Sequence, residues 1–152
     1  MKRIIYIFLF LLSAPHVYSQ KILEVQQEFK QDTTRIESHV RSAFLANTAD
    51  FVQCMNYLFD EYDKLLNKYY RLLMSNLNEE GKAALKSAQM NWIKFQTADR
   101  KLLDNISMQV YKNMGGGTMS NYISDPLYGY IVKDRAIELY KYYSAIVESK
   151  YE

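Results

Sequence analysis

The stretch FVQCMNYLFDEYDKLLNKYYRLLMS, residues 51–75, decides the fold. Phe51, Met55, Leu58, Tyr62, Leu65, Tyr69 and Leu72 recur every three or four residues, and Cys54 and Leu73 widen the same stripe. At 3.6 residues per turn that spacing puts them on one side of a helix. Asn47-Thr48 can open this helix, and Asp50 suits the positive end of its dipole. A long helix with one apolar face needs partners to cover it.

The flanking sequence supplies three more helices. Upstream, Asp32-Thr33-Thr34 can cap a short helix over about 34–45, carrying Ile36, Val40, Ala43 and Phe44. The polar residues from 20 to 33 predict a frayed stretch or a looser helix before it. Downstream, Asn78 reads as an N-cap, with Glu79 and Glu80 in the first turn. The helix it opens carries Leu85, Ala88, Trp92, Phe95, Asp99, Leu102 or Leu103, Ile106 and Val110. It should end at Asn113-Met114, before Gly115-Gly116-Gly117. Residues 115–124 read as a loop. Asp125-Pro126 then predicts a cap and first turn for a last helix bearing Tyr128, Ile131, Arg135, Leu139, Tyr142 and Ile146. Alternating strand patterns do not persist anywhere. The reading is an all-α protein, an antiparallel bundle of about four helices with short connections.

The N-terminus has a different character. Lys2-Arg3 precede nine unbroken apolar residues, Ile4 to Leu12, and Ser13-Ala14-Pro15 follow. Val17 and Ser19 stand at −3 and −1 of a cut before Gln20. This is the layout of a secretory signal peptide, too short to span a bilayer as a helix. The organisation is therefore a signal peptide over 1–19, a polar segment and short helix over 20–46, and a helical domain over 47–150. The product is expected in the periplasm or outside the cell, with no membrane attachment once cleaved.

Composition narrows the function. Outside residues 1–19 the basic and acidic residues balance at 17 each, so no charge excess is available to neutralise a nucleic-acid backbone. The lone cysteine, Cys54, cannot form an intramolecular disulfide. It reads as a small buried hydrophobe, or else as one half of an intermolecular bridge. The one histidine beyond the signal segment, His39, has no second imidazole or Glu-x-x-His partner, so no metal site is expected. The apolar setting of Cys54 argues against a thiol nucleophile. Asp60, Asp63 and Asn67 read as a solvated or hydrogen-bonded face rather than glycosidase acids. No cofactor, metal or catalytic group is predicted, and the chain is read as a non-enzyme.

Two constellations remain. Asp63, Asn67, Gln89, Trp92, Asp99 and Arg135 sit on or beside apolar stripes. A buried arginine is costly unless paired, so the expectation is an interhelical network. Arg135 would meet Asp63 or Asp99, and Asn67 and Gln89 would satisfy neighbouring groups. The second is a candidate partner-binding loop of Gly115, Gly116, Gly117, Thr118, Met119, Ser120, Asn121 and Tyr122. Its glycines permit backbone shapes closed to other residues, its polar groups can hydrogen-bond, and Met119 and Tyr122 are apolar anchors.

Cys54, then Asp63-Lys64-Leu65-Leu66-Asn67-Lys68-Tyr69-Tyr70-Arg71-Leu72-Leu73, then Ala88-Gln89-Met90-Asn91-Trp92-Ile93-Lys94-Phe95, the triple glycine and Arg135-Ala136-Ile137-Glu138-Leu139 together resemble the LprI-like lysozyme-inhibitor domain family. The resemblance covers roughly residues 50–140. It implies a secreted or envelope-associated helical module whose partner is a protein, a lysozyme or other cell-wall hydrolase. Departures accompany it. Gln96 and Thr97 stand where the family carries Arg-Asp, and Arg100 and Leu127 lie near its further cysteines. The alternative reading is an envelope assembly or scaffold protein that uses the tyrosines of the last helix (128, 130, 140, 142, 143) and Tyr151 as an interface.

Export makes a direct prediction. Mass spectrometry of the native protein should find a mature N-terminus at or near Gln20; an intact Met1 form in the cytoplasm would exclude the signal peptide.

Overall fold

A computed structural model of the chain describes residues 14–46, 51–115 and 121–150; for residues 14–19, 44, 51, 52 and 121–128 only the backbone is described. These residues form α1 (Ala14–Ala46), α2 (Phe51–Asn76), α3 (Glu79–Asn113) and α4 (Asn121–Ser149), with no strand among them. The protein is all-α, as the periodicity requires. Lys2-Arg3 and the apolar run after them lie outside the described residues.

Consecutive helices run antiparallel, so α2 and α4 are parallel. Their contacts prove it. Leu58 lies against Gly129 at one end, and Lys150 donates to Asn76 Oδ1 at 2.6 Å at the other. These two helices make the most extensive contact in the molecule. Leu58, Tyr62, Leu65, Leu66, Tyr69 and Leu73 of α2 meet Val132, Ala136, Leu139, Tyr143 and Val147 of α4 in one buried cluster. Cys54 is buried within it, as a small hydrophobe should be. A Cβ at Gly129 would stand 3.2 Å from Leu58 Cδ2, so the missing side chain allows the close approach.

The helix boundaries differ from the sequence expectation in two places. α1 does not begin near Thr34; it is continuous from Ala14, so the polar stretch is helical, the second of its two readings. The reason is tertiary: Val25 is buried, Ile22 and Phe29 pack on the core, and Phe29 stacks on Tyr140 with ring centroids 3.7 Å apart. All of these follow position 20, so removal of residues 1–19 leaves the described core contacts of α1 in place. α4 begins at Asn121 rather than at Asp125-Pro126, so residues 121–124 belong to a helix, not to a loop. The α3 boundaries agree with expectation. Asn78 accepts from Gly81 N at 2.8 Å, and Glu79 and Glu80 occupy the first turn. At the other end Gly115 has φ +74°, the left-handed conformation that glycine adopts readily after a helix.

α1 is tied down by charge as well as by apolar packing. Lys68 Nζ lies 2.8 Å from Glu28 and 3.2 Å from Asp32, Arg35 lies 2.7 Å from Glu61, and Lys133 lies 2.6 Å from Glu37. Tyr62 donates its hydroxyl to Glu37. The Lys133 ammonium holds the Glu37 carboxyl below its ordinary 4.5, and Lys64 and Arg35 do the same for Glu61. A carboxylate depressed on folding stabilises at pH values above its unfolded pKa and loses that contribution as pH falls through the folded value. The urea midpoint should therefore fall as pH drops below about 4.5, and a Glu37→Gln/Glu61→Gln variant should show a smaller fall. Equal falls would mean that these pairs carry no stability.

Candidate partner-binding surface

α3 contacts α4 but barely touches α2. Only Leu85 of α3 enters the main buried cluster, with Trp92 packed at its edge. The inward seam of α3 runs through Leu85, Gln89, Trp92, Gln96, Asp99, Leu103, Ser107 and Val110, each buried or half-buried. Half of these are polar. Large apolar residues face the solvent instead: Met90, Ile93, Phe95, Leu102, Ile106, Met108 and Tyr111 are all exposed. The expected stripe was thus correct at Leu85, Trp92, Asp99, Leu103 and Val110. It was wrong at Ala88, Phe95 and Ile106, which lie one position off the seam and are exposed. A helix covered on one side by a single neighbour need not place its apolar residues inward as strictly as a core helix does.

Arg135 is the polar centre of the α3–α4 contact. It is 7% exposed. Its Nε donates to Gln89 Oε1 at 3.1 Å and its Nη1 to Glu138 Oε2 at 2.7 Å. Its guanidinium carbon stands 6.0 Å from the Trp92 ring centroid, and its Nη2 is buried with no hydrogen-bond partner among the described residues. Tyr142 donates to the other oxygen of Glu138. Burial acts to raise the Glu138 pKa, but the bonds from Tyr142 and Arg135 outweigh it and hold the carboxyl below 4.5.

The structure thus brings together three of the six expected network residues: Gln89, Trp92 and Arg135. The other three lie apart. Asn67 donates to Asp63 on its own helix, at 2.9 Å, on the surface of α2. Asp99 sits on the α3 seam and is not a partner of Arg135. The carboxylate that neutralises Arg135 is Glu138, one turn along α4. The i, i+3 spacing of Arg135 and Glu138 signals this pair in the sequence. Trp92 is half-buried rather than enclosed, because among the described residues α4 supplies most of the cover of α3.

The α3–α4 contact leaves a groove of about 420 Å³ lined by Trp92, Phe95, Ile131, Asp134, Arg135 and Glu138. Of the expected loop, Gly115 ends α3, and Asn121 and Tyr122 lie in the first turn of α4. Gly116, Gly117, Thr118, Met119 and Ser120 lie outside the described residues. Among the described side chains the tyrosines of α4 form no continuous outer stripe. Tyr143 is buried and Tyr140 packs on the core, while the exposed Tyr130 and Tyr142 are twelve residues apart, about a third of a turn around the axis. Among the described residues no three His, Cys, Asp or Glu side chains converge as metal ligands, and no helix is long and apolar enough to cross a membrane.

α3 and α4 thus form a hairpin of two long helices with a groove along their contact. The family model of the lysozyme inhibitor LprI matches residues 42–139, and the chain belongs to that family. The match spans α2, α3 and most of α4, and excludes nearly all of α1. Neither the curated proteins nor the solved structures yielded a significant match.

The Arg135 geometry makes a prediction. Arg135→Met should cost about 1.5–3 kcal/mol, the worth of hydrogen bonds to a charged group. Arg135→Lys should not restore it, because an ammonium cannot reproduce the planar fork that reaches Gln89 and Glu138 together. Urea titration reads both, and a wild-type midpoint for Arg135→Lys would show that charge alone suffices.

Proposed function

We propose that this protein is an extracytoplasmic, non-enzymatic inhibitor of lysozyme. The family match over residues 42–139 carries the reading. An inhibitor of this kind needs no catalytic group or cofactor; it needs a surface that occupies the enzyme's cleft. The connection between α3 and α4 is the proposed point of entry. A rigid helix leads into it and another leads out, Gly115 turns the chain through a left-handed conformation, and Tyr122 follows in the first turn of α4. Met119 and Tyr122 are the proposed apolar anchors, flanked by the hydrogen-bonding groups of Thr118, Ser120 and Asn121. Release of residues 1–19 would place the protein in the periplasm or outside the cell, where lysozyme is met.

The test is a lysis assay with the mature chain from Gln20 onward, against several purified lysozymes. Wild type should slow lysis in proportion to its concentration. Met119→Ala/Tyr122→Ala, verified as folded by circular dichroism, should weaken inhibition about tenfold or more, the effect of about 1.4 kcal/mol or more of lost contact. Equal inhibition by the variant would remove the loop from the contact surface, and no inhibition of any lysozyme by wild type would remove the function.

A further inference from the structure

The α3–α4 groove has features that the core does not need. Trp92 and Phe95 present aromatic surface in it, and Phe95 is 56% exposed. Leu102 and Ile106 continue the line of Phe95 along α3, at seven and eleven residues from it, so they share its face. Apolar side chains in such a line, flanked by polar groups, are characteristic of a surface that meets another protein.

Charge identifies the kind of partner. Arg135 and Glu138 neutralise one another through their 2.7 Å contact. Asp134 lines the groove, and Asp99 stands one turn beyond Phe95; neither has an ion pair or hydrogen bond among the described residues. Among the described residues the unbalanced charge of the lining is therefore the negative charge of Asp134, with Asp99 beside its end, although the chain beyond residue 19 is neutral as a whole. The lining itself holds no lysine; Lys94 and Arg100 stand beside Phe95 and Asp99 on α3, with Arg100 3.7 Å from Asp104, and Lys141 stands seven residues from Asp134 on α4.

We infer that the groove formed by Trp92, Phe95, Ile131 and Asp134, with Asp99 at its end, docks a basic protein segment that carries an apolar side chain between lysines or arginines. This rests on the proposed function in one respect: the segment would belong to the surface of the inhibited lysozyme. The Phe95–Leu102–Ile106 line runs from the groove toward the α3–α4 connection. One face of α3 would hold the basic surface of the enzyme while the connection enters its cleft.

Trp92 is the only tryptophan in the chain, so its fluorescence reports on the groove without labelling. The mature protein is titrated with the tryptophan-free peptide Lys-Leu-Arg-Leu-Lys, and with Glu-Leu-Glu-Leu-Glu as control. A saturable shift in Trp92 emission is expected with the basic peptide alone, weakening as salt rises. Asp99→Asn/Asp134→Asn, which removes no packing, should weaken it about tenfold, as the loss of about 1.4 kcal/mol would. No saturable shift, an equal response to the acidic peptide, or undiminished binding by the variant would overturn the inference. A concentration-dependent shift without peptide would assign the groove to a second copy of the chain and also overturn it. Lysozyme inhibition by the same variant separates the two readings. Peptide binding without inhibition by wild type leaves the groove standing and removes the function. Inhibition that survives without peptide binding does the reverse.

Discussion

The parallel contact between α2 and α4 governs the rest of the molecule. Two helices separated by another in the chain become nearest neighbours, with Gly129 seated against Leu58 and with Tyr62, Tyr69, Val132 and Leu139 enclosed around the contact. Parallel neighbours need a long return, and α3 is that return. Once α2 and α4 cover each other, only one side of the pair needs α1, and α3 is left on the outer side of α4. The burial of Tyr62 and Tyr69 pushes both phenols well above their ordinary pKa, so both remain neutral parts of the core.

The peripheral position of α3 explains why its sequence departs from a core helix. Its seam carries Gln89, Gln96, Asp99 and Ser107, while Met90, Ile93, Phe95, Leu102, Ile106, Met108 and Tyr111 face outward. A polar seam weakens packing on α4, and outward apolar side chains, about half exposed, stabilise the fold less than buried ones would. The outer face of α3 is therefore apolar in part, and it is this face that the proposed docking of a protein segment would use. Arg135 compensates for the polar seam by bonding Gln89 across the helix contact, with its charge balanced by Glu138.

α1 stands in a different relation to the domain. It lies almost wholly outside the matched family region, yet it completes the core through Val25, Phe29 and Ile36. Its attachment mixes that apolar ridge with the pairs of Lys68, Arg35 and Lys133 to acidic partners. These pairs are partly exposed, so they contribute modestly to stability and mainly set register. Glu37 illustrates this, since it accepts from both Tyr62 of α2 and Lys133 of α4.

The helix order, the α2 stripe, the Asn78 cap and the glycine stop after α3 were legible in the residues themselves, because each depends on spacing or on a local backbone preference. The family was legible too, through short motifs in fixed order. The extent of α1 was not, although Ile22, Val25, Phe29 and Ile36 follow helical spacing, because polar neighbours diluted the pattern until the aromatic rings of α4 gave Phe29 a partner. The face of α3 that turns inward was equally hidden. Both of its sides carry apolar residues, and periodicity cannot choose between two such faces. The surroundings of Arg135 depended in part on the same choice: Glu138 was signalled by its i, i+3 spacing on the same helix, but the residues that meet Arg135 from another helix were not. Only the packing of α3 on α4 placed Gln89 and Trp92, rather than Asp63 or Asp99, against Arg135, because cross-helix reach is decided by which helix faces touch, and that is a property of the assembled chain alone.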